Sequence, residues 1–370
     1  IAKVEYPEIS PILGSEKQYF YRNKLEYSFS NRKWLIDGAP AGTHDEEAVK
    51  GFGYHLPGLF DRVIDIEKCY LQQEPSNAIR LFIKDFTLEH KLSYYNVRAH
   101  EGLMRNVVIR CNGKGEFMVI VVINEENDLV RNVMIPELQK RFPEIISIML
   151  VINNKFNDII TDLPFENVYG EECLIETMKA PREGHDDLKF RVGPVSFFQT
   201  NVYQGERLYK AAFDLADVQG DELMYDLYTG TGTKALYFAS FVKNVVGVEY
   251  VEEAIADAKI NSEFNNINNV KFYAGDMAKV FTDEFIESNG RPDLVVTDPP
   301  RAGMHEKVVE QLLKIQPKKI VYISCNPATQ ARDLQLLDAK YEVKAVQPVD
   351  MFPHTHHVEN IVLLKLRNND

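Results

Sequence analysis

Ser324-Cys325-Asn326-Pro327-Ala328-Thr329 follows the apolar run Ile320-Val321-Tyr322-Ile323, so a cysteine falls where a buried strand should emerge into a cleft. A strand end fixes the direction of the sulfur, Pro327 suits the first turn of a following helix, and a helix N-terminus favours a thiolate. Alone, Cys325 also reads as a small buried hydrophobe. Two carboxylates elsewhere in the chain argue for the nucleophile. Asp298 opens Asp298-Pro299-Pro300-Arg301-Ala302-Gly303, and Glu359 lies in His357-Val358-Glu359-Asn360.

An ionised carboxylate only accepts hydrogen bonds, so Asp298 suits a base edge that presents an N–H, as uracil N3 does. Amino-group methyltransferases carry Asn-Pro-Pro-aromatic at such a strand end; here there is an aspartate and no aromatic after the prolines. Uracil C5 is a poor nucleophile, and a thiolate adding to C6 turns it into an enolate that attacks an electrophilic methyl. A base must then take the C5 proton so that the thiolate leaves, which calls for one cysteine and one carboxylate: Cys325 and Glu359. His354, His356 and His357 crowd the same turn but have no spacing for a full metal-ligand set, and read as groups that orient the turn or contact RNA. Arg332-Asp333 reads as a local ion pair.

Asp226-Leu227-Tyr228-Thr229-Gly230-Thr231-Gly232-Thr233 sets two glycines after a strand, where backbone passes close to a ligand, but lacks the third glycine of a dinucleotide fingerprint. Glu249 ends the next strand about twenty residues on, where a carboxylate can hold ribose hydroxyls, and Asp276 follows a third strand. Asp226, Glu249 and Asp276 at three successive strand ends suit a compact nucleoside carrying a cationic sulfonium better than NAD.

The elements that must position these groups alternate strand and helix. Strands are expected at 223–227, 245–249, 270–273, 294–297 and 320–324, giving a parallel sheet wound on both faces. Strands 343–349 and 358–366, joined by a short His-rich turn, should form an antiparallel hairpin at the sheet edge. Earlier residues read as α+β: strands near 25–29, 106–110 and 117–122, helices near 78–92 and 134–142, and a sheet covered on one face. The linker is placed at 180–187, dividing the chain into 1–185 and 186–370.

The 370 residues are 45% apolar, enough for two cores, and the amino-terminal Ile1-Ala2-Lys3-Val4 lacks the layout of a signal peptide. With no apolar run of membrane-spanning length, a soluble cytoplasmic protein follows. Cys69, Cys111, Cys173 and Cys325 are too scattered for a disulfide framework or a self-contained metal site. The net charge of −13 argues against nucleic-acid binding by the whole surface and calls for a local basic patch. Lys17, Arg22, Lys24, Arg32 and Lys33, interleaved with Tyr19, Phe20, Tyr21, Tyr27 and Trp34, are the candidates, with an amphipathic strand pair of solvated charges as the plainer reading. An initial Ile in place of Met reads as a fragment of a longer protein.

Phe197-Phe198-Gln199-Thr200-Asn201, the Asp226 to Gly232 run, Asp298-Pro-Pro-Arg-Ala-Gly, Ser324-Cys-Asn-Pro-Ala-Thr, Arg332-Asp333, Met351-Phe352-Pro353-His354-Thr355 and Glu359 together resemble the RNA uracil-5 methyltransferase family, most of all its RumA-type ribosomal RNA members. Tyr21-Arg22-Asn23-Lys24-Leu25 and Asp65-Ile66-Glu67-Lys68-Cys69 resemble it more loosely. The resemblance implies a Rossmann-like S-adenosylmethionine-dependent α/β domain, a seven-stranded sheet with a C-terminal antiparallel hairpin, preceded by an α+β RNA-binding domain. It makes Cys325 the nucleophile and Glu359 the base, and sets Gln199, Asp226, Tyr228, Gly230, Gly232, Glu249, Asp276 and Asp298 around S-adenosylmethionine. Asp298, Arg301, Arg22, Lys24 and His354 would contact the RNA. The implied product is 5-methyluridine in 23S ribosomal RNA, made by a monomer. Transfer RNA is the alternative substrate, and an amino-nitrogen methyltransferase or a non-catalytic RNA-binding factor the alternative function. RumA-type members also hold an iron–sulfur cluster with three early cysteines and one later. Cys69 resembles the later one, the other three and a TRAM-type β-barrel are missing, and this chain is therefore expected to lack the cluster.

Overall fold

A computed structural model describes residues 3–34 and 49–368, so Ile1 and Ala2 of the amino-terminal stretch lie outside the described residues. The chain forms two compact units, Tyr19–Ile175 with Val192–Val195, and a second made of the residues up to Gln18, Glu176–Arg191 and Ser196 onward.

The first unit holds strands β1 (Lys24–Ser30), β2 (Gly51–Leu56), β3 (Leu59–Ile64), β4 (Met104–Cys111), β5 (Phe117–Ile123), β6 (Ile145–Ile152) and β7 (Glu166–Gly170), with helices α1 (Ser76–Glu89) and α2 (Ile135–Arg141). Its sheet runs β3-β2-β1-β4-β5-β6-β7 and is antiparallel except at β5/β6, where α2 makes the crossover. Ile79, Ile83 and Phe86 fall on one stripe of α1 and pack with Phe117, Val119, Val121 and Ile123. The sheet was expected to be covered on one face; at its centre it is covered on both. Met118, Ile120 and Val122, the alternate residues of β5, join Val108, Met149 and Val151 in a second cluster capped by Ile160, Leu163 and Phe165. Every residue of β5 is apolar, and a strand with no polar face has both faces to bury.

β8 (Leu174–Met178) and β9 (Leu188–Val192) pair as a small separate sheet. The division expected after residue 185 falls between them. The second unit then runs α3 (Val202–Ala216), β10 (Leu223–Leu227), α4 (Thr233–Ala239), β11 (Asn244–Glu249), α5 (Glu252–Phe264), β12 (Val270–Ala274), α6 (Met277–Val280), α7 (Asp283–Asn289), β13 (Leu294–Thr297), α8 (Glu306–Ile315), β14 (Lys319–Ser324), α9 (Pro327–Leu337), β15 (Tyr341–Val349) and β16 (Glu359–Leu366). Its seven strands are ordered β12-β11-β10-β13-β14-β16-β15. The first five are parallel, while β16 lies antiparallel between β14 and β15. Tyr225 and Leu227 of β10 join Val308, Val309 and Leu312 of α8 and Leu334 and Leu337 of α9 in one core, while the alternating Met224 and Asp226 are buried on the opposite side. This is the α/β fold of S-adenosylmethionine-dependent methyltransferases.

The amino-terminal segment belongs to this second unit and not to the first half of the chain. Leu13 bridges Val349, Leu13 N donates to Pro348 O at 2.9 Å, and Ser10 N donates to Val346 O at 3.0 Å. β15 would otherwise be an open sheet edge, and the segment satisfies part of it. No helix among the described residues is long and apolar enough to cross a membrane.

Candidate active site

Two strands aim the thiol and the carboxylate at each other. Ser324 of β14 pairs with Asn360 of β16, so the next residues along the antiparallel ladder, Cys325 and Glu359, leave it side by side. Gln330 of α9 locks this junction from beneath. It is 1% exposed, its amide donates to Tyr322 O at 2.9 Å, and its carbonyl accepts from Asn360 Nδ2 at 2.7 Å. α9 starts as the sequence implies, with Pro327 in its first turn and Asn326 capping by accepting from Ala328 N.

The electrostatics differ from the expected helix-stabilised thiolate. Burial, then Glu359, then Asp298 push the Cys325 thiol above its ordinary value, with Arg301 opposing. Burial, then Asp298, push Glu359 up to about 8, and Arg301 again opposes. Burial and nearby carboxylates both disfavour the charged form of a thiol. The same couplings place Cys325, Glu359, Asp298 and Arg301 within electrostatic reach of one another.

The loop that carries Asp298 is pinned by the Arg332–Asp333 ion pair, which is local as expected. Arg332 binds Asp333 Oδ1 at 2.7 Å and donates to Ala302 O at 3.0 Å, while Asp333 Oδ2 accepts from Met304 N at 2.8 Å and Tyr322 OH at 2.7 Å. Gly303 has φ +81, and a Cβ there would meet Arg332 Nη2 at 2.6 Å and Asp333 Oδ2 at 2.7 Å. Only glycine fits both the dihedral and the contact. Asn326 Nδ2 and Thr329 Oγ1 donate to Arg301 O at 3.0 and 3.1 Å, tying this loop to the cysteine turn.

At the neighbouring strand ends, Gly230 and Gly232 both have positive φ. A Cβ on Gly232 would lie 2.9 Å from Ala258 Cβ of α5, whereas one on Gly230 would meet only open space. Glu249 spans this turn, accepting from Gly230 N at 3.0 Å, Tyr250 N at 2.8 Å and Val251 N at 3.1 Å. Tyr228, with φ +65, bends the chain into the turn, and burial raises its hydroxyl to about 12. Asp276 caps α6 through Ala278 N and pairs with Lys279 at 3.4 Å. Gln199 donates to the buried Tyr209 hydroxyl at 3.3 Å. Asp226 is fully buried, accepts from Thr229 Oγ1 at 2.6 Å, and organises the turn from below instead of facing the cleft. An open glycine turn beside a fixed carboxylate fits the ribose of an adenosine-bearing methyl donor.

Sequence reasoning missed Lys234. Its ammonium sits 3.4 Å from Asp298 Oδ2 and 3.9 Å from Asp226 Oδ1, with the side chain 7% exposed. A lysine set between the glycine turn and the apolar run Ala235-Leu236-Tyr237-Phe238 was the available signal. Asn201, fully buried, was quoted only as part of a motif. It caps α3 through Gln204 N and donates to Met351 O at 2.9 Å, anchoring the loop that precedes Glu359.

The proposed RNA contacts are divided between the two units. His354 is exposed on that loop with φ +67, and Arg301 is exposed beside Asp298. Lys17 belongs to the second unit, where it stacks over Tyr203, whereas Arg22, Lys24, Arg32 and Lys33 belong to the first. Tyr21 and Tyr27 turn into the core, Arg32 pairs with Asp61 at 2.8 Å, and Tyr19 and Trp34 stay exposed. Burial, then Arg110 on the adjacent strand, hold the Lys24 ammonium below its ordinary value.

Nothing supports reading Cys69 as an iron–sulfur ligand. Its sulfur is buried against Tyr54 OH at 3.4 Å, its backbone is held by Asn77, and no group of three His, Cys, Asp or Glu arranged for a metal occurs among the described residues. These residues do not fit such a cluster.

Residues 183–367 match the model of the family described as tRNA (uracil-5-)-methyltransferase. A Bacteroides thetaiotaomicron protein described as an uncharacterized RNA methyltransferase is 53% identical over 99% of this chain and 80% of its own length. A Porphyromonas gingivalis protein of the same description is 48% identical over 100% of this chain and 79% of its own. The crystal structure of Pyrococcus abyssi tRNA (uracil-54, C5)-methyltransferase with S-adenosyl-L-homocysteine superposes with a TM-score of 0.74 at 31% identity, covering 95% of this chain and 78% of that one. An RNA methyltransferase by relationship and by fold, this chain belongs to the RNA uracil-5 methyltransferase family.

Proposed function

We propose that this protein, acting as a monomer, forms 5-methyluridine in RNA through a transient bond between Cys325 and the base. The observation that carries the reading is the ladder that delivers Cys325 and Glu359 together, beside Asp298. Asp298 accepts from uracil N3–H and holds C6 over the sulfur. The Cys325 thiolate adds to C6, and the electron pair of the C5=C6 bond moves onto C5 and O4. Gln199, Gly230, Gly232, Glu249 and Asp276 would hold S-adenosylmethionine, whose chemistry is to supply an electrophilic methyl: C5 would bond to it with the enolate electron pair as the S–CH3 bond breaks and S-adenosylhomocysteine leaves. Glu359 then takes the C5 proton, the C5=C6 bond re-forms, and the sulfur leaves as thiolate. Burial suits Glu359 to this task, because a carboxylate titrating near 8 is a far stronger base than an exposed one. Arg301 and His354, both exposed beside this centre, bind RNA phosphates, and Arg22 and Lys24 do so on the first unit.

The proposed substrate is 23S ribosomal RNA. A transfer RNA uridine is the second reading, favoured by the likeness to the Pyrococcus abyssi enzyme. The test incubates the protein with S-adenosylmethionine and unmodified transcripts of each RNA, then quantifies nucleosides by mass spectrometry. The proposal expects 5-methyluridine in the ribosomal transcript. The modification in transfer RNA alone assigns the second reading. RNA binding with no methylated nucleoside overturns the enzymatic reading.

A further inference from the structure

Lys234 lies two residues beyond Gly232, in the first turn of α4, and is 5% exposed. Its ammonium donates to Tyr228 O at 3.2 Å and to Asp298 Oδ2 at 3.4 Å, and stands 3.9 Å from Asp226 Oδ1. Asp226 is buried completely, with Oδ2 satisfied by Thr229 and Oδ1 making no hydrogen bond. The other ionisable group facing the ammonium is Tyr209, from α3. Burial works against the charge, but Asp226, Asp298 and Tyr209 outweigh it and hold the ammonium above its ordinary value. An apolar residue would fill this helix position without the cost of desolvating a charge, which is several kcal/mol for a typical ion. The retained charge therefore has something to act on. Asp226 alone does not explain it, because a neutral residue at 226 would remove the need for a counter-ion.

We propose that Lys234 is a specificity-determining positioning residue: anchored by Asp226 and the Tyr228 carbonyl, it holds one oxygen of Asp298 so that the other is presented to uracil N3–H, and so enforces uracil over cytosine at the reaction centre. This rests on the reading of Asp298 given above. Uracil and cytosine share C5, C6 and ring shape, and differ at N3, where uracil presents a donor and cytosine an acceptor. A carboxylate held in place accepts from the first and repels the second. The ammonium engages Oδ2 of Asp298 and leaves the other oxygen to the base. Asp298 also acts electrostatically on both Cys325 and Glu359, which puts it in the neighbourhood of the reacting groups.

The test uses the full chain with S-adenosylhomocysteine and the transcript that the wild type methylates, carrying uridine or cytidine at the modified position. A hydrogen bond to a charged group corresponds to a preference for uridine of about tenfold or more in Kd. Lys234→Met should reduce that preference to about twofold or less, and Lys234→Arg should keep it. The double variant Asp226→Asn with Lys234→Met removes the buried charge together with its counter-charge, and decides the matter if the single variant does not fold. An unchanged preference in the variants, or equal weakening toward both RNAs, overturns the proposal, since a merely structural lysine would affect both alike. A wild type that methylates no transcript defeats the functional reading itself, an outcome separate from a wild type that methylates while its variants keep their selectivity.

Discussion

Replacing Glu359 with glutamine should stabilise this protein at high pH and leave it unchanged at low pH. Burial, and after it Asp298, raise Glu359 from 4.5 to about 8, with Arg301 opposing. Between those two values the folded state keeps a proton that the unfolded chain releases, so stability falls as pH rises through the window. Each pH unit is worth about 1.4 kcal/mol, which sets the whole cost of charging Glu359 at about 5 kcal/mol as an upper bound. Glutamine keeps the shape and never ionises. The assay is the denaturation midpoint of wild type and Glu359→Gln at about pH 5 and about pH 9, with Cys325 and Asp298 retained in both proteins. The variant should match the wild type at the lower pH and exceed it clearly at the higher. A gap that does not change with pH, or one that favours the wild type at high pH, refutes burial and Asp298 as the forces acting on this carboxylate.

Turnover should rise with pH through about 8, where the base titrates, and go on rising above it, because the thiol also acts deprotonated and is held above its ordinary value. Arg301→Gln should displace that limb to higher pH, since Arg301 is the group opposing the shift on Glu359, and initial rates across the range measure it. Gly232→Ala should destabilise the protein by about 1–3 kcal/mol and weaken S-adenosylhomocysteine binding, because φ is +80 and the new methyl would lie 2.9 Å from Ala258 Cβ. Gly230→Ala, with positive φ but open space, should cost only about 1 kcal/mol; thermal denaturation and calorimetric titration distinguish the two.

Strand positions were most legible where one element decides them. Leu223–Leu227 and Leu294–Thr297 have the bounds expected from their apolar runs between turn residues. Cys325 and Glu359 were legible as residue types, but their adjacency depends on β16 entering between β14 and β15, a pairing set by tertiary contacts. The same limit hid the burial of both faces of β5, where an apolar run carries no information about which layers cover it. The hairpin connection read as a short turn runs from residue 350 to 358, and its shape is held by Asn201, 150 residues away in sequence. The thiol was expected to be favoured as thiolate by its helix; it is held above its ordinary value by burial first, and then by Glu359 and Asp298, which come from two other strand ends. Lys234 was invisible for a related reason: its partners Asp226 and Asp298 lie on strands that meet only in the folded sheet.

Covalent capture on RNA bearing 5-fluorouridine at the target position tests the central claim most directly, because fluorine at C5 cannot be removed as a proton and the adduct cannot resolve. Incubation with S-adenosylmethionine should give a denaturation-stable protein–RNA species whose cross-linked peptide maps to Cys325, absent from Cys325→Ala. No trapped species with the wild type, or one that persists in Cys325→Ala, would contradict the account.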